Sequence, residues 1–168
     1  MNIESKFTSQ LLNHLLWKTK ETVSTAESCT GGNVAAALTS LAGSSAYFKG
    51  GIVAYTDECK VKYLNVNQET IDKYTVYSEE VVKEMVKGAC EAFGTTYAIA
   101  VSGIAGPTGG TADKPVGTIW IAVGTADEIV TSMRSVDEGR ERNILYATCE
   151  ALEMLLKFVE SRQAVETE

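Results

Sequence analysis

Ile3, Phe7, Leu11, Leu12, Leu15 and Leu16 recur three and four positions apart. That is the period of a helix with one buried face. The period then changes. Residues 22–26 read as a short strand, and Glu27-Ser28-Cys29-Thr30-Gly31-Gly32 interrupts it before a helical run that begins at Asn33. Gly43-Ser44-Ser45 ends that run. Residues 51–56 form a second strand, in which Ile52, Val53 and Ala54 are expected to be buried. A short helix is expected over 57–63, then a turn and another short helix within 65–74. Ser78 is the N-cap of a longer helix, and Glu79 and Glu80 suit its positive end. Val82, Met85, Val86, Ala89, Cys90 and Phe93 form its apolar face. Residues 97–102, Tyr-Ala-Ile-Ala-Val-Ser, are expected to form a buried strand. Strands at 117–125 and 129–136 are joined by only Ala126-Asp127-Glu128, which predicts an antiparallel hairpin. A last helix spans 139–159, with Ile144, Ala147, Thr148, Ala151, Leu152, Leu155 and Val159 inward. The polar residues 161–168 are expected to fray.

Strands alternating with helices, closed by a hairpin, predict a layered α/β domain with a mixed sheet. Ligands of such sheets bind beyond the carboxyl ends of the strands. The chain of 168 residues fits one domain, placed at 1–160. A net charge of −7 opposes binding to nucleic acid. No segment has the ~20 apolar residues of a membrane span. The opening Met1-Asn2-Ile3-Glu4-Ser5-Lys6 lacks the pattern of a signal peptide. Cys29, Cys59, Cys90 and Cys149 form no C-x-x-C pair and have no neighbouring histidine, which argues against zinc and for a reducing cytoplasm.

Polar and glycine-rich residues gather at three strand ends. The first holds Glu27, Ser28, Thr30, Gly31 and Gly32: a hydroxyl at a strand-to-helix turn, beside amides able to bind an oxyanion or a phosphate. The second holds Tyr55 and Lys60. The third is a loop from Ser102 through Gly103, Gly106, Gly109 and Gly110 to Lys114-Pro115, whose donors suit a phosphate or ribose. It matches neither G-x-G-x-x-G nor the Walker pattern. Each end also has a plain structural reading: a helix cap, a solvated lysine, a flexible connection. The single histidine, His14, lies in the opening helix and is a poor candidate for a base. A serine nucleophile here needs another base, and a lysine serves if its pKa is lowered. That points to Lys60 first and Lys114 second. Cys29 is the rival nucleophile.

Several segments carry a family resemblance: Thr25-Ala26-Glu27-Ser28-Cys29-Thr30-Gly31-Gly32, Ala42-Gly43-Ser44-Ser45, Gly51-Ile52-Val53-Ala54-Tyr55-Thr56 with Lys60, Val101-Ser102-Gly103-Ile104-Ala105-Gly106-Pro107, Gly109-Gly110-Thr111, and Lys114-Pro115-Val116-Gly117-Thr118. Over about residues 5–159 the chain resembles the C-terminal domain of the CinA (competence-damage-inducible) family in its stand-alone form, without the larger N-terminal domain of some members. The resemblance implies a three-layer α/β/α sandwich with a mixed sheet. It implies an amidohydrolase that converts nicotinamide mononucleotide (NMN) and water to nicotinate mononucleotide and ammonia, with no metal or other cofactor, in a homo-oligomer. It implies Ser28 as nucleophile, with Tyr55 and Lys60 as its partners. Arg140 and the glycine loop are then expected to hold the phosphate. Similar sequences tend to carry a second arginine four residues after Arg140, where this chain has Ile144; Arg142 is the candidate substitute. The alternative is a non-catalytic nucleotide-binding or regulatory module on the same fold.

Overall fold

The computed structural model describes residues 3–166. Five strands, β1 (Val23–Glu27), β2 (Phe48–Val53), β3 (Tyr97–Gly103), β4 (Thr118–Gly124) and β5 (Ile129–Ser135), form one sheet in the order β2-β1-β3-β4-β5. β2, β1 and β3 run parallel, while β4 and β5 are antiparallel to their neighbours. The expected mixed sheet and its closing hairpin are both present.

Alternation along the central strands builds two cores. Tyr97, Ile99 and Val101 of β3 and Ile119, Ile121 and Val123 of β4 point to one face. There they meet α1 (Ile3–Thr19), α2 (Asn33–Leu38) and α6 (Arg140–Glu166). Ala98, Ala100 and Ala122 point to the other face, against α3 (Asp57–Leu64), α4 (Gln68–Tyr74) and α5 (Glu79–Phe93). The result is the three-layer α/β/α sandwich. Small side chains on this second face bring α5 close to the sheet. Close packing recurs where α5 meets the end of α3: a Cβ on Gly88 would lie 1.9 Å from the Leu64 carbonyl oxygen, so only glycine fits.

Four expectations need correction. Phe7 and Leu11 are exposed, at 61% and 41%, and of the apolar residues described on α1 only Leu12 and Leu16 are fully buried. The apolar residues of α1 cover more of its circumference than one outer-layer contact can hide. Val53 is 50% exposed because β2 is an edge strand with one covered face. β2 also starts at Phe48, earlier than expected, because Tyr47 is buried and its hydroxyl donates to the Leu38 carbonyl at 2.7 Å. Finally, α6 continues to Glu166. Ser161 Oγ donates to the Phe158 carbonyl at 2.8 Å, and Arg162 pairs with Glu128 at 2.8 Å, so polar residues 161–166 stay helical. The expected fraying at 167–168 lies outside the described residues.

Candidate active site

The parallel strands β1, β2 and β3 end on the same side of the sheet, and the three polar strand ends meet there. Ser28 follows β1 directly, its N–H donating to the Val101 carbonyl at 2.9 Å, so the ladder to β3 carries one residue into the turn. Past it the chain turns sharply into α2, with Gly31 and Gly32 at φ 58° and 98°, where a side chain would be strained. Lys60 lies one turn into α3, which Thr56 caps by accepting from the Cys59 N–H. The lysine side chain runs inward, 1% exposed. Its Nζ lies 3.2 Å from Ser28 Oγ and 3.0 Å from the Ala54 carbonyl oxygen. Ser28 is itself buried.

No carboxylate hydrogen-bonds to Lys60 among the described residues. Burial therefore dominates its titration and lowers its pKa from the ordinary lysine value, and Asp57 opposes this most among the nearby groups. Burial acts in the opposite sense on Cys29, whose thiol is pushed up to about 12. At neutral pH the thiol stays protonated, which removes its advantage as a nucleophile. His14 is exposed on α1 and takes no part.

Ser28, Cys29, Tyr55, Asp57 and Lys60 line a cleft of about 200 Å³, together with Val76, Tyr77, residues 103–106, Thr108, Gly109 and Arg140. Arg140, in the first turn of α6, bridges the mouth. Its Nη1 donates to the Gly106 carbonyl at 2.9 Å and its Nη2 to the Tyr55 hydroxyl at 2.9 Å. Asn143, one turn on, is buried and donates to the Ala105 carbonyl at 3.1 Å and to Asp137 at 3.0 Å, fixing the glycine loop to the turn before Arg140.

Of the residues expected at the site, Ser28, Tyr55, Lys60, Gly103, Gly106, Gly109 and Arg140 are brought together. Tyr55 lines the cleft, but its hydroxyl is held by Arg140 rather than by Ser28 or Lys60. The others are placed elsewhere. Glu27 is fully buried, and its carboxylate accepts the N–H groups of Gly32, Val34 and Ala35 at 2.8–3.1 Å, so it caps α2 instead of meeting a ligand. Gly31 and Gly32 form that turn, and Thr30 is buried beside it with no hydrogen bond to its hydroxyl among the described residues. Ser102 is buried and donates to the Val76 carbonyl at 3.0 Å. Lys114 donates to the Tyr74 and Tyr77 carbonyls and to the Thr75 hydroxyl, leaving none of its three N–H bonds for a phosphate. Gly110 does not line the cleft, nor does the exposed Arg142. Ile144 faces a different groove, between α2 and α6.

Asp57, Val76, Tyr77 and Thr108 were not anticipated. Asp57 had a signal: it lies three positions before Lys60, on the same side of a helix. Tyr77 had none, since only the packing of α5 on the sheet brings it to the cleft.

A mixed-sheet α/β protein with a buried hydroxyl–amine pair at the carboxyl edge of its parallel strands is the class that fold and site define. The chain belongs to the CinA C-terminal domain family, which it matches over residues 5–159. It is 47% identical to the nicotinamide-nucleotide amidohydrolase PncC of Escherichia coli over 135 residues, 80% of this chain and 82% of that protein. It is also 47% identical to a CinA-like protein of Cytophaga hutchinsonii over 133 residues, 79% of this chain. That match spans only 32% of the relative, so the chain corresponds to about a third of such longer proteins. Among solved structures, the competence/damage inducible protein CihA from Agrobacterium tumefaciens superposes with a TM-score of 0.91 at 37% identity, covering 94% of this chain and 96% of that one.

Proposed function

We propose that this protein is a nicotinamide-nucleotide amidohydrolase that converts NMN and water to nicotinate mononucleotide and ammonia, with Ser28 as nucleophile and Lys60 as base. The observation that carries the proposal is the 3.2 Å approach of Lys60 Nζ to Ser28 Oγ inside the cleft. Neutral Lys60 takes the Ser28 proton as Oγ attacks the carboxamide carbon. The N–H groups of Ala105 and Gly106, which donate to no other backbone group among the described residues, and that of Cys29, beside the nucleophile and turned to its own thiol, are the candidate donors to the oxyanion. One such donor is worth about 3 kcal/mol. The tetrahedral intermediate collapses as the C–N bond breaks, and Lys60 returns its proton to the departing ammonia, with Tyr55 as a relay. Water then attacks the ester, Lys60 takes its proton, and that proton returns to Ser28 as the carboxylate leaves.

The size of the cleft supports this division of labour. Pockets for whole drug-sized ligands run from about 300 Å³ upward. A cleft of about 200 Å³ suits the pyridine carboxamide and leaves the phosphate at the mouth, where Arg140 and the glycine loop stand. Asp57 complements the positive pyridinium ring. We propose further that the protein is cytoplasmic and homo-oligomeric. Among the described residues no helix is long and apolar enough to cross a membrane. Exposed Phe7, Leu11 and Trp17 on α1 support self-association.

Ammonia release from NMN, with nicotinamide riboside in parallel, tests the reading. Wild-type protein is expected to turn NMN over, to prefer it to the riboside, and to lose the reaction in Ser28→Ala. Tight NMN binding with no ammonia would instead make the protein a binding module.

A further inference from the structure

We infer that Lys114 is a positioning residue that clamps the strap 74–77 in the cleft wall. The inference rests on the amidohydrolase reading of the cleft. The strap joins α4 to α5 and delivers Val76 and Tyr77 to the cleft. Tyr77 shares the cleft lining with Asp57, Cys29 and Tyr55, and burial raises its pKa. The opposite wall is the glycine loop, and Lys114 sits where that loop turns back: its N–H donates to Thr111 Oγ1 at 3.1 Å and its carbonyl accepts from the Thr111 N–H at 2.8 Å. From there Lys114 Nζ reaches the Tyr74 carbonyl at 2.9 Å, the Tyr77 carbonyl at 3.0 Å and the Thr75 hydroxyl. Ser102 Oγ holds the remaining interior carbonyl, that of Val76.

The strap needs such a clamp because of Thr75. Its φ of 70° and ψ of 160° fall in a region that is essentially reserved for glycine. A β-branched residue is strained there. The Cβ makes Thr75 unsuitable for this backbone, and the hydroxyl it carries is the acceptor that ties the residue to Lys114. Without the clamp, Thr75 relaxes toward negative φ, and the rotation displaces Val76 and Tyr77, one and two residues further on. The ring-binding wall then opens while Ser28 and Lys60, on other elements, stay in place.

The test uses steady-state ammonia release from NMN and from nicotinamide riboside. Lys114→Met is expected to raise KM about tenfold for both substrates while kcat changes by less than about threefold, as for a misplaced binding wall. In a Thr75→Gly background the same substitution is expected to cost about threefold or less, because glycine holds this backbone unaided. A rise in KM for NMN alone would make Lys114 a phosphate ligand and overturn the clamp. Equal penalties in both backgrounds, or an unchanged KM, would overturn it too. Should Lys114→Met fail to fold, the strap decides: Thr75→Ala keeps the strain and loses the acceptor, so it must raise KM more than Thr75→Gly does. The Thr75 N–H, which donates to the Ile71 carbonyl at 2.8 Å, gives a readout independent of turnover. Its hydrogen exchange is expected to quicken about tenfold in Lys114→Met and to be restored toward wild type in the double variant. Absence of wild-type turnover would overturn the amidohydrolase reading alone, and unchanged exchange would overturn the clamp alone.

Discussion

Lys60 joins the chemistry to a cost in stability. A buried amine with no carboxylate hydrogen-bonded to it is easier to keep neutral, and the neutral form is the one that accepts the Ser28 proton. The rate is therefore expected to rise with pH through a Lys60 pKa below the ordinary ~10.4 of lysine. The same depression fixes the sign of the stability effect. Between the lowered native pKa and the unfolded value, the unfolded chain binds more protons, so the Lys60 contribution to stability rises with pH. The stability difference between wild type and Lys60→Met should accordingly grow in favour of wild type from pH 7 to pH 10, as read by urea unfolding; a flat or falling difference would contradict the burial argument. Lys60→Met should also lower kcat by about 10²–10⁴-fold, the usual range for a general base. Cys29, with its raised pKa, should react with iodoacetamide more slowly than half-buried Cys59, and Cys29→Ala should keep most of the activity. Loss of turnover in that variant, with Ser28→Ala still active, would move the nucleophile to sulfur.

At the scale of elements, the short helix α2 depends on Glu27. Six residues are too few to hold a helix in isolation. The Glu27 carboxylate meets three of the orphan N–H groups at its start, and the negative charge opposes the positive helix end. Hydrogen bonds to charged groups contribute about 1.5–3 kcal/mol each, and the three share one acceptor group. Glu27→Ala is expected to cost about 3 kcal/mol and to lower Tm by roughly 6–12 °C, measured by circular dichroism. A loss under about 1 kcal/mol would show that α2 is held by packing alone. Because Ser28 adjoins this cap, kcat should fall along with stability. The motif Glu-Ser-Cys-Thr-Gly-Gly thus mixes two jobs: its serine faces the cleft and its glutamate faces the protein. Sequence could mark the whole segment as special, yet it could not separate the two, since both roles favour polar residues at a strand-to-helix turn.

For the whole molecule, the exposed face of α1 makes a prediction about assembly. Light scattering is expected to give a mass above the 18.1 kDa of one chain, and Phe7→Glu with Leu11→Glu to shift it toward that value. A wild-type monomer at micromolar concentration would overturn the oligomer, and an unchanged assembly in the double variant would place its interface elsewhere. Burial patterns were readable where an element is covered on both sides or by a full helix face. β3 is apolar from Tyr97 to Val101 and wholly buried, and α6 turns the expected residues inward. They misled where cover is partial: at edge strand β2, and at α1, which is hidden along only one narrow side.

The order of apolar and polar residues, by itself, determined the class of fold, nearly every element and the pairing of Ser28 with Lys60 as candidates, because periodicity and the lack of a nearby histidine are local properties of the chain. The tertiary structure alone decided which polar residues face the ligand and which serve the scaffold. Glu27 and Lys114 looked like ligand-binding groups, but each is engaged inside the protein, Glu27 by three backbone N–H groups and Lys114 by two carbonyls and the Thr75 hydroxyl. Tyr77 reached the cleft, and Asn143 the loop that lines it, only through the packing of α5 and α6. Hydrogen-bond partners distant in sequence are set by how the layers stack, and no local pattern encodes them.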